Sequence, residues 1–147
     1  MDSRRAGGLR ERGQALVETT IAVMIAFTLI FGIVDFGRAI YAYDVVASAA
    51  RVGSRYAIVH GSACTITTVC PATAATIKAY VLTQVTGVTA STLAVTTTWA
   101  AAPGCTLSPY QGAQCLVKVQ VQYPFNFVLP FHKTITMTAI SEMIISQ

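Results

Sequence analysis

The sequence TTIAVMIAFTLIFGIV extends from Thr19 to Val34 and contains no charged residue. Its sixteen residues fall slightly short of the roughly twenty that an α-helix needs to cross a hydrocarbon core about 30 Å thick. Adding Ala15–Glu18 makes up the difference. The run therefore predicts a membrane-spanning helix whose amino-terminal end includes the carboxylate of Glu18.

The composition also favours membrane attachment. Of the 147 residues, 54% are hydrophobic and only 11% are charged, which is too apolar for an ordinary soluble domain. The length leaves room for one small domain beside the membrane segment.

Charge asymmetry predicts the orientation of this segment. Within about twenty residues after it, only Arg38 and Arg51 are basic, whereas four arginines precede it: Arg4, Arg5, Arg10 and Arg12. Because basic residues stay on the cytoplasmic side, we expect a single-pass protein with a cytoplasmic amino terminus. All four cysteines follow the segment, which agrees with an oxidising compartment on the far side. Beyond Gly13, six basic and four acidic residues remain, so nucleic-acid binding is not indicated.

A cleavable glycine and a costly carboxylate stand together at the start of the helix, in RGQALVE from Arg12 to Glu18. An acid inside a membrane is disfavoured by several kcal/mol unless it is compensated, which makes Glu18 a functional candidate. Cleavage after Gly13 would expose a new α-amino group on Gln14, one helical turn before Glu18. This amine, or that of a neighbouring copy, could pair with the carboxylate. The pattern predicts a subunit that is cut and then assembled.

An ordinary secretory signal peptide is the alternative, because a basic start and an apolar core are common to both. Its cleavage site fits poorly. The plainest small-x-small match is Ala47-Ser48-Ala49, well past the apolar core.

Helical periodicity continues beyond the membrane. An apolar stripe opposes a polar one made of Asp44, Ser48, Arg51 and Arg55. The apolar stripe comprises Val45, Ala49, Val52, Tyr56 and Val59. We expect one helix to about His60, with Gly61 as a stop, so that Gln14–Val59 measures roughly 70 Å.

Two features near the outer end of the membrane segment have open interpretations. Asp35 and Arg38 are spaced to pair, and an exposed interfacial pair of little energetic value is the favoured interpretation. Gly32 and Gly37 either allow a local bend or simply reflect the frequency of glycine in membrane helices.

The remainder predicts a small α+β domain. Residues Ala72–Val85 fit a short helix whose apolar face is Ile77, Tyr80, Val81 and Val85. Alternating residues predict three strands, over Thr92–Trp99, Cys115–Tyr123 and Thr134–Ile144. The expected fold is α+β, with a long amino-terminal transmembrane and stalk helix packed against a small antiparallel sheet. The expected parts are residues 1–13 as a cytoplasmic leader, 14–60 as helix and 61–147 as an extracytoplasmic domain.

The cysteines favour two local disulfides among the three possible connectivities. Cys64 and Cys70 flank a short threonine-rich loop, and Cys105 and Cys115 bound a loop rich in turn formers. Zinc is the competing use, but neither spacing resembles C-x-x-C and both histidines, His60 and His132, stand apart. We therefore expect no metal site and no cofactor.

An aromatic and proline-rich run, Tyr123–Phe131, follows the second strand. It could dock on the membrane surface or on a neighbouring subunit, although a strand connection over the core is more common.

Three segments carry a family resemblance: RGQALVE at Arg12–Glu18, GIVDFGRA at Gly32–Ala39 and AARVGSRYA at Ala49–Ala57. They closely resemble TadE-like proteins of the tight-adherence (Tad, or Flp) pilus system, over Gly13 to about Gly61. The strand region looks like the more variable outer part of that family. The resemblance implies a pseudopilin or minor pilin that is processed by a prepilin peptidase and helps to assemble a bacterial surface fibre used for attachment.

Carried over to this chain, the resemblance makes Gly13 the last leader residue, Gln14 the first mature residue and Glu18 the acid at the fifth mature position. The implied partners are the prepilin peptidase, other pilins or pseudopilins, the pilus assembly machinery and the inner membrane lipid. The major subunit of that system is far shorter and often has an aromatic residue where this chain has Thr19, so a minor or initiating subunit is favoured.

Two other functions stay open. One is an unprocessed membrane scaffold of the pilus or secretion apparatus, and the other is an adhesin-type binding module on the threonine-rich sheet. An enzyme is disfavoured, because there is no serine, histidine and acid arrangement and no glycine-rich phosphate loop, and Glu142 is the only acid after Gly61.

Overall fold

One long helix, α1, occupies the amino-terminal part of the chain, from Ser3 to Val59. This computed structural model describes residues 3–65, 70–105, 110–128 and 134–146, with the side chains of residues 3–12 outside that description. The helix is continuous across Gly32 and Gly37. It ends one residue before the predicted position at His60, which confirms the prediction of one long helix.

The outer domain adds one short helix and a sheet. Helix α2 is Ala74–Gln84, and the strands are β1 (Ala94–Ala100), β2 (Leu116–Asn126) and β3 (Thr134–Ile144). The sheet is antiparallel in the order β1-β2-β3. The predicted α+β fold, with a long helix and a small antiparallel sheet, is confirmed.

Local sequence explains where α2 begins. The side chain of Thr73 accepts a hydrogen bond from the backbone N–H of Thr76, and the Thr76 hydroxyl accepts one from the Thr73 N–H. This reciprocal capping box satisfies two backbone donors that a helix start leaves without partners. Ile77 and Val81 of α2 are fully buried.

The sheet places one face on the outer half of α1. Alternate residues of β2, namely Val117, Val119 and Val121, are fully buried between the sheet and the helices. The predicted alternation in β2 is therefore correct, and the strand continues three residues past Tyr123 to Asn126. Beyond Gln122, β2 pairs with β3 but no longer with β1, so Pro124 lies where β2 has one open edge, a position in which proline is tolerated.

Helix α1 contacts the sheet through a different face from the one predicted. The buried residues are small or of moderate size: Ala42, Val46, Ala49, Ala50, Gly53, Ser54 and Ala57. Val45, Val52 and Tyr56 are only half-buried, and Val59 is 51% exposed. Of the predicted apolar stripe only Ala49 is buried, and the buried face is rotated from that stripe, because close packing on a sheet selects small side chains over large apolar ones.

Both local disulfides are present. Cys64 is bonded to Cys70, and Cys105 is bonded to Cys115. The second bridge lies in the core, where the Ile145 N–H donates to the Cys115 carbonyl at 2.8 Å and the Gln114 N–H donates to the Ile145 carbonyl at 2.7 Å. The disulfide therefore joins the segment after β1 to the beginning of β2, and the two hydrogen bonds join the beginning of β2 to Ile145 after β3.

Candidate functional site

The predicted cleavage and pairing residues lie on one exposed stretch of α1. Gly13, Gln14 and Glu18 are all helical and all exposed. Gln14 and Glu18 are four residues apart, so the backbone nitrogen of Gln14 lies about one turn, or roughly 6 Å along the axis, before Glu18. Gly13 has no heavy atom within 4 Å of the position that a Cβ would take.

The helix after Glu18 is suited to a lipid environment. Among the described residues, α1 is the one helix long and apolar enough to cross a membrane, with a mean hydropathy of 2.2 over its most apolar eighteen-residue window and none of that window buried. The exposed surface consists of large apolar side chains, among them Ile21, Met24, Phe27, Leu29 and Phe31. An exposed apolar surface of this kind is unfavourable in water and indicates contact with lipid or with another apolar surface.

The threonine hydroxyls within this apolar stretch form hydrogen bonds with the backbone of the same helix. The hydroxyls of Thr19, Thr20 and Thr28 each donate to the backbone carbonyl four residues earlier, at 2.8 Å. Because hydrocarbon offers no hydrogen-bond partners, such internal bonding is what a spanning helix needs. Glu18 differs from these threonines, since no ion pair or hydrogen bond from its side chain is found among the described residues.

A second charged cluster stands where the apolar stretch ends. Asp35 is only 4% exposed, and its Oδ1 accepts from Arg38 Nη1 at 2.7 Å. Its Oδ2 accepts from the backbone N–H of Val128 at 2.7 Å. The predicted pairing is correct, but the interpretation of an exposed pair is wrong for Asp35, because the chain after β2 folds over the carboxylate.

Arg38 connects the same cluster to the sheet. Its guanidinium carbon lies 5.5 Å from the centre of the Phe125 ring, within cation–π range. Phe125 is buried and packs edge-on against Phe127 at 5.1 Å. Half of the Arg38 side chain remains exposed. We call Asp35, Arg38, Phe125 and Val128 the junction cluster, since it joins the end of the apolar stretch to the end of β2.

A close contact between α1 and the sheet lies further out. A Cβ on Gly53 would stand 2.9 Å from Val81 Cγ2 and 3.0 Å from Val119 Cγ1, so only glycine fits without displacement. The next residue, Ser54, is fully buried, and its hydroxyl is 2.7 Å from that of Ser141 in β3. Sequence reasoning missed this contact, although the small residues Ala42, Ala49, Ala50, Gly53 and Ala57 do recur at helical spacing.

The far end of α1 is held by aromatic stacking. The Tyr56 ring stacks on Tyr80 of α2 at 4.3 Å and on His60 at 4.0 Å. The backbone N–H of Ala72 donates to the His60 carbonyl at 2.8 Å, which ties the chain after Cys70 to the helix end. His60 therefore has a local packing role.

Some predicted features lie partly outside the described residues. The run Tyr123–Phe131 is described as far as Val128, and His132 is not described. Residues 66–69 and 106–109, inside the two disulfide loops, are also outside the description. Among the described residues, no three His, Cys, Asp or Glu side chains are grouped to hold a metal ion.

In a comparison with protein families, the family model described as TadE-like protein matches residues 13–55. Over this segment the chain is similar to TadE-like proteins. The match confirms the predicted resemblance, and it begins at Gly13, the residue before the proposed mature start. No curated protein sequence and no solved structure matches the chain.

The TadE-like segment contains most of the site described above. It includes Gly13, Glu18, the helical half of the junction cluster, and the Gly53–Ser54 contact. The two disulfides and all three strands lie beyond it. Similarity to the TadE-like family suggests involvement in Tad pilus assembly, and the apolar helix is consistent with membrane anchoring.

Proposed function

We propose that this TadE-like protein is a pseudopilin or minor pilin of a Tad pilus, and that a prepilin peptidase cuts it after Gly13. The observation that carries the proposal is Glu18, an exposed carboxylate one turn after Gln14 in a stretch of α1 that has no other charged residue from Gly13 to Val34. Cleavage supplies the missing positive charge at the nitrogen of Gln14. The family match supports the pilus context, since it starts at the same glycine.

The proposed orientation puts the residues up to Gly13 in the cytoplasm and the sheet outside the inner membrane. Cleavage at the cytoplasmic surface then frees the amino terminus, and the helix enters the assembly with other pilins or pseudopilins. Apolar helices gain little hydrophobic free energy on leaving lipid for a helical bundle, so packing and charge compensation must favour assembly. Pairing of Glu18 with an α-amino group of its own or a neighbouring chain supplies that compensation.

Glu18→Gln tests the role of the carboxylate. The variant removes the charge and keeps the size, so we expect normal insertion into the membrane and a large loss of assembled fibre in sheared surface fractions. Glu18→Asp keeps the charge on a side chain one methylene shorter, and it should restore part of the assembly. Normal fibre formation by Glu18→Gln would remove the pairing mechanism.

The alternative function is an unprocessed membrane scaffold in which Glu18 contacts another membrane protein. In that case Glu18→Gln would again impair assembly, but residues 1–13 would remain on the mature chain. An adhesin-type module on the sheet would instead require fibres that form normally and fail to attach when exposed sheet residues such as Thr96 and Thr98 are changed.

A further inference from the structure

The position of the junction cluster along α1 corresponds to the edge of the membrane. From Gln14 to Asp35 the helix advances 21 residues, or roughly 31 Å at 1.5 Å per residue. This length equals the thickness of a hydrocarbon core, about 30 Å. When the first turn of the apolar helix lies at the inner boundary, Asp35 therefore lies at the outer one.

The chain after β2 is held at the same level. Because the Val128 N–H donates to Asp35 Oδ2, Val128 cannot lie far above the carboxylate along the helix axis. Val128 is nevertheless 66% exposed. An aliphatic side chain is thus presented to the surroundings at the level where lipid begins.

A hollow of about 430 Å³ opens beside this contact. It is lined by Phe31, Val34, Asp35, Arg38 and Val128. Its apolar members Phe31 and Val34 are more than half exposed and belong to the lipid-facing surface of α1. The hollow therefore adjoins the outer end of the apolar surface of α1, which lipid covers when the helix spans the membrane.

One positive group lies at the edge of this hollow. Arg38 uses Nη1 on Asp35 and is half exposed, so further guanidinium N–H groups remain available. Guanidinium groups bind phosphate well, and phospholipid phosphates lie just outside the hydrocarbon. The apolar side chains of the hollow match the acyl chain of a phospholipid, and the guanidinium of Arg38 matches its phosphate.

We propose that Val128 enters the outer interface of the membrane and that an outer-leaflet phospholipid occupies the hollow. Its acyl chain lies against Phe31, Val34 and Val128, and its phosphate binds Arg38. The outer domain is then held against the membrane surface through the Asp35–Val128 bond. This inference rests on the membrane anchoring in the proposed function and is independent of cleavage after Gly13.

Tryptophan scanning of the full chain in vesicles tests the position of Val128. In a Trp99→Phe background, Val128→Trp is compared with Phe27→Trp, a lipid-facing helix position, and Thr98→Trp, an exposed sheet position. Thr98 pairs with Lys118, which precedes Asn126 by eight residues in β2. At 3.4 Å per residue, Thr98 therefore lies roughly 27 Å along the sheet from the end of β2 near Val128. The vesicles contain phosphatidylglycerol, phosphatidylcholine and nitroxide-labelled lipids as quenchers.

The inference predicts that lipid-borne nitroxide removes most of the fluorescence of Val128→Trp and Phe27→Trp and leaves Thr98→Trp bright. Quenching of Phe27→Trp alone would overturn the inference and leave the membrane anchoring intact. Loss of quenching at both positions would contradict the anchoring itself. Shielding of Val128→Trp only after other pilins are added would assign the hollow to a protein partner and would also overturn the inference.

Native mass spectrometry tests the phospholipid on the otherwise unaltered chain. After extraction in mild detergent, we expect phosphatidylglycerol to stay bound to the parent chain and to Arg38→Lys, and to be lost from Arg38→Gln. Arg55→Gln is the control, because Arg55 is exposed on the stalk. Equal lipid retention by Arg38→Gln and Arg55→Gln would overturn the assignment of the phosphate to Arg38.

Discussion

The carboxylate of Asp35 accepts a 2.7 Å hydrogen bond from the backbone N–H of Val128, 93 residues further along the chain. The other oxygen of the same carboxylate binds Arg38 at 2.7 Å. One buried acid thus connects the outer end of the apolar helix to the end of β2. This connection fixes how the outer domain sits on the helix at the membrane end, while the Gly53–Ser54 contact does so further out.

Asp35→Ala should loosen this connection. We expect the free energy of unfolding of the outer domain to fall by about 2 kcal/mol, because hydrogen bonds to charged groups contribute roughly 1.5–3 kcal/mol. Asp35→Asn keeps an acceptor for the Val128 N–H and should cost less. Hydrogen–deuterium exchange at Val128 is the direct readout, with faster exchange in Asp35→Ala. Asp44→Ala, which removes an exposed acid from the same helix, should leave exchange at Val128 unchanged.

Gly53→Ala should destabilise the contact between α1 and the sheet. Its added methyl group would meet Val81 and Val119 at 3.0 Å or less, and overpacking of this kind typically costs about 1–3 kcal/mol. Gly37→Ala is a matched control, since a Cβ there would meet nothing within 4 Å. It should raise stability by up to about 1 kcal/mol, because alanine favours a helix over glycine. Thermal unfolding of the detergent-solubilised chains, followed by circular dichroism, should therefore shift in opposite directions for the two variants.

Much of this architecture follows from local patterns in the sequence. The apolar run and the absence of proline from Gln14 to Val59 predict α1, and alternation predicts the buried valines of β2. The disulfide spacing also predicts the two bridges that form. Each of these features depends on residues that are close together in the chain, so it can be predicted from a single sequence.

The errors concern contacts between distant segments. Periodicity of large apolar residues placed Val52 and Tyr56 at the centre of the helix face, whereas Gly53 and Ala57 occupy it. A sheet approaches a helix most closely where side chains are small, and hydrophobicity does not measure size. The burial of Asp35 could not be predicted either, because nothing near it in sequence indicates a partner at Val128.

Thr97→Val should stabilise the outer domain. The Thr97 hydroxyl lies in the buried face of β1 and has no hydrogen-bond partner among the described residues. Valine has the same shape without the polar atom, so the free energy of unfolding should rise by about 1 kcal/mol. Thr96→Val, at the neighbouring exposed position, should change it by less than about 0.5 kcal/mol. A loss of stability in Thr97→Val, measured by the same thermal unfolding, would show that the hydroxyl is satisfied in solution.

The mass of the amino-terminal peptide, measured on the chain purified from membranes of cells with an active prepilin peptidase, tests the central claim most directly. An acid inside the membrane requires a new positive terminus beside it, so we expect a mature chain that begins at Gln14. A mature chain that retains residues 1–13 under these conditions would contradict this mechanism.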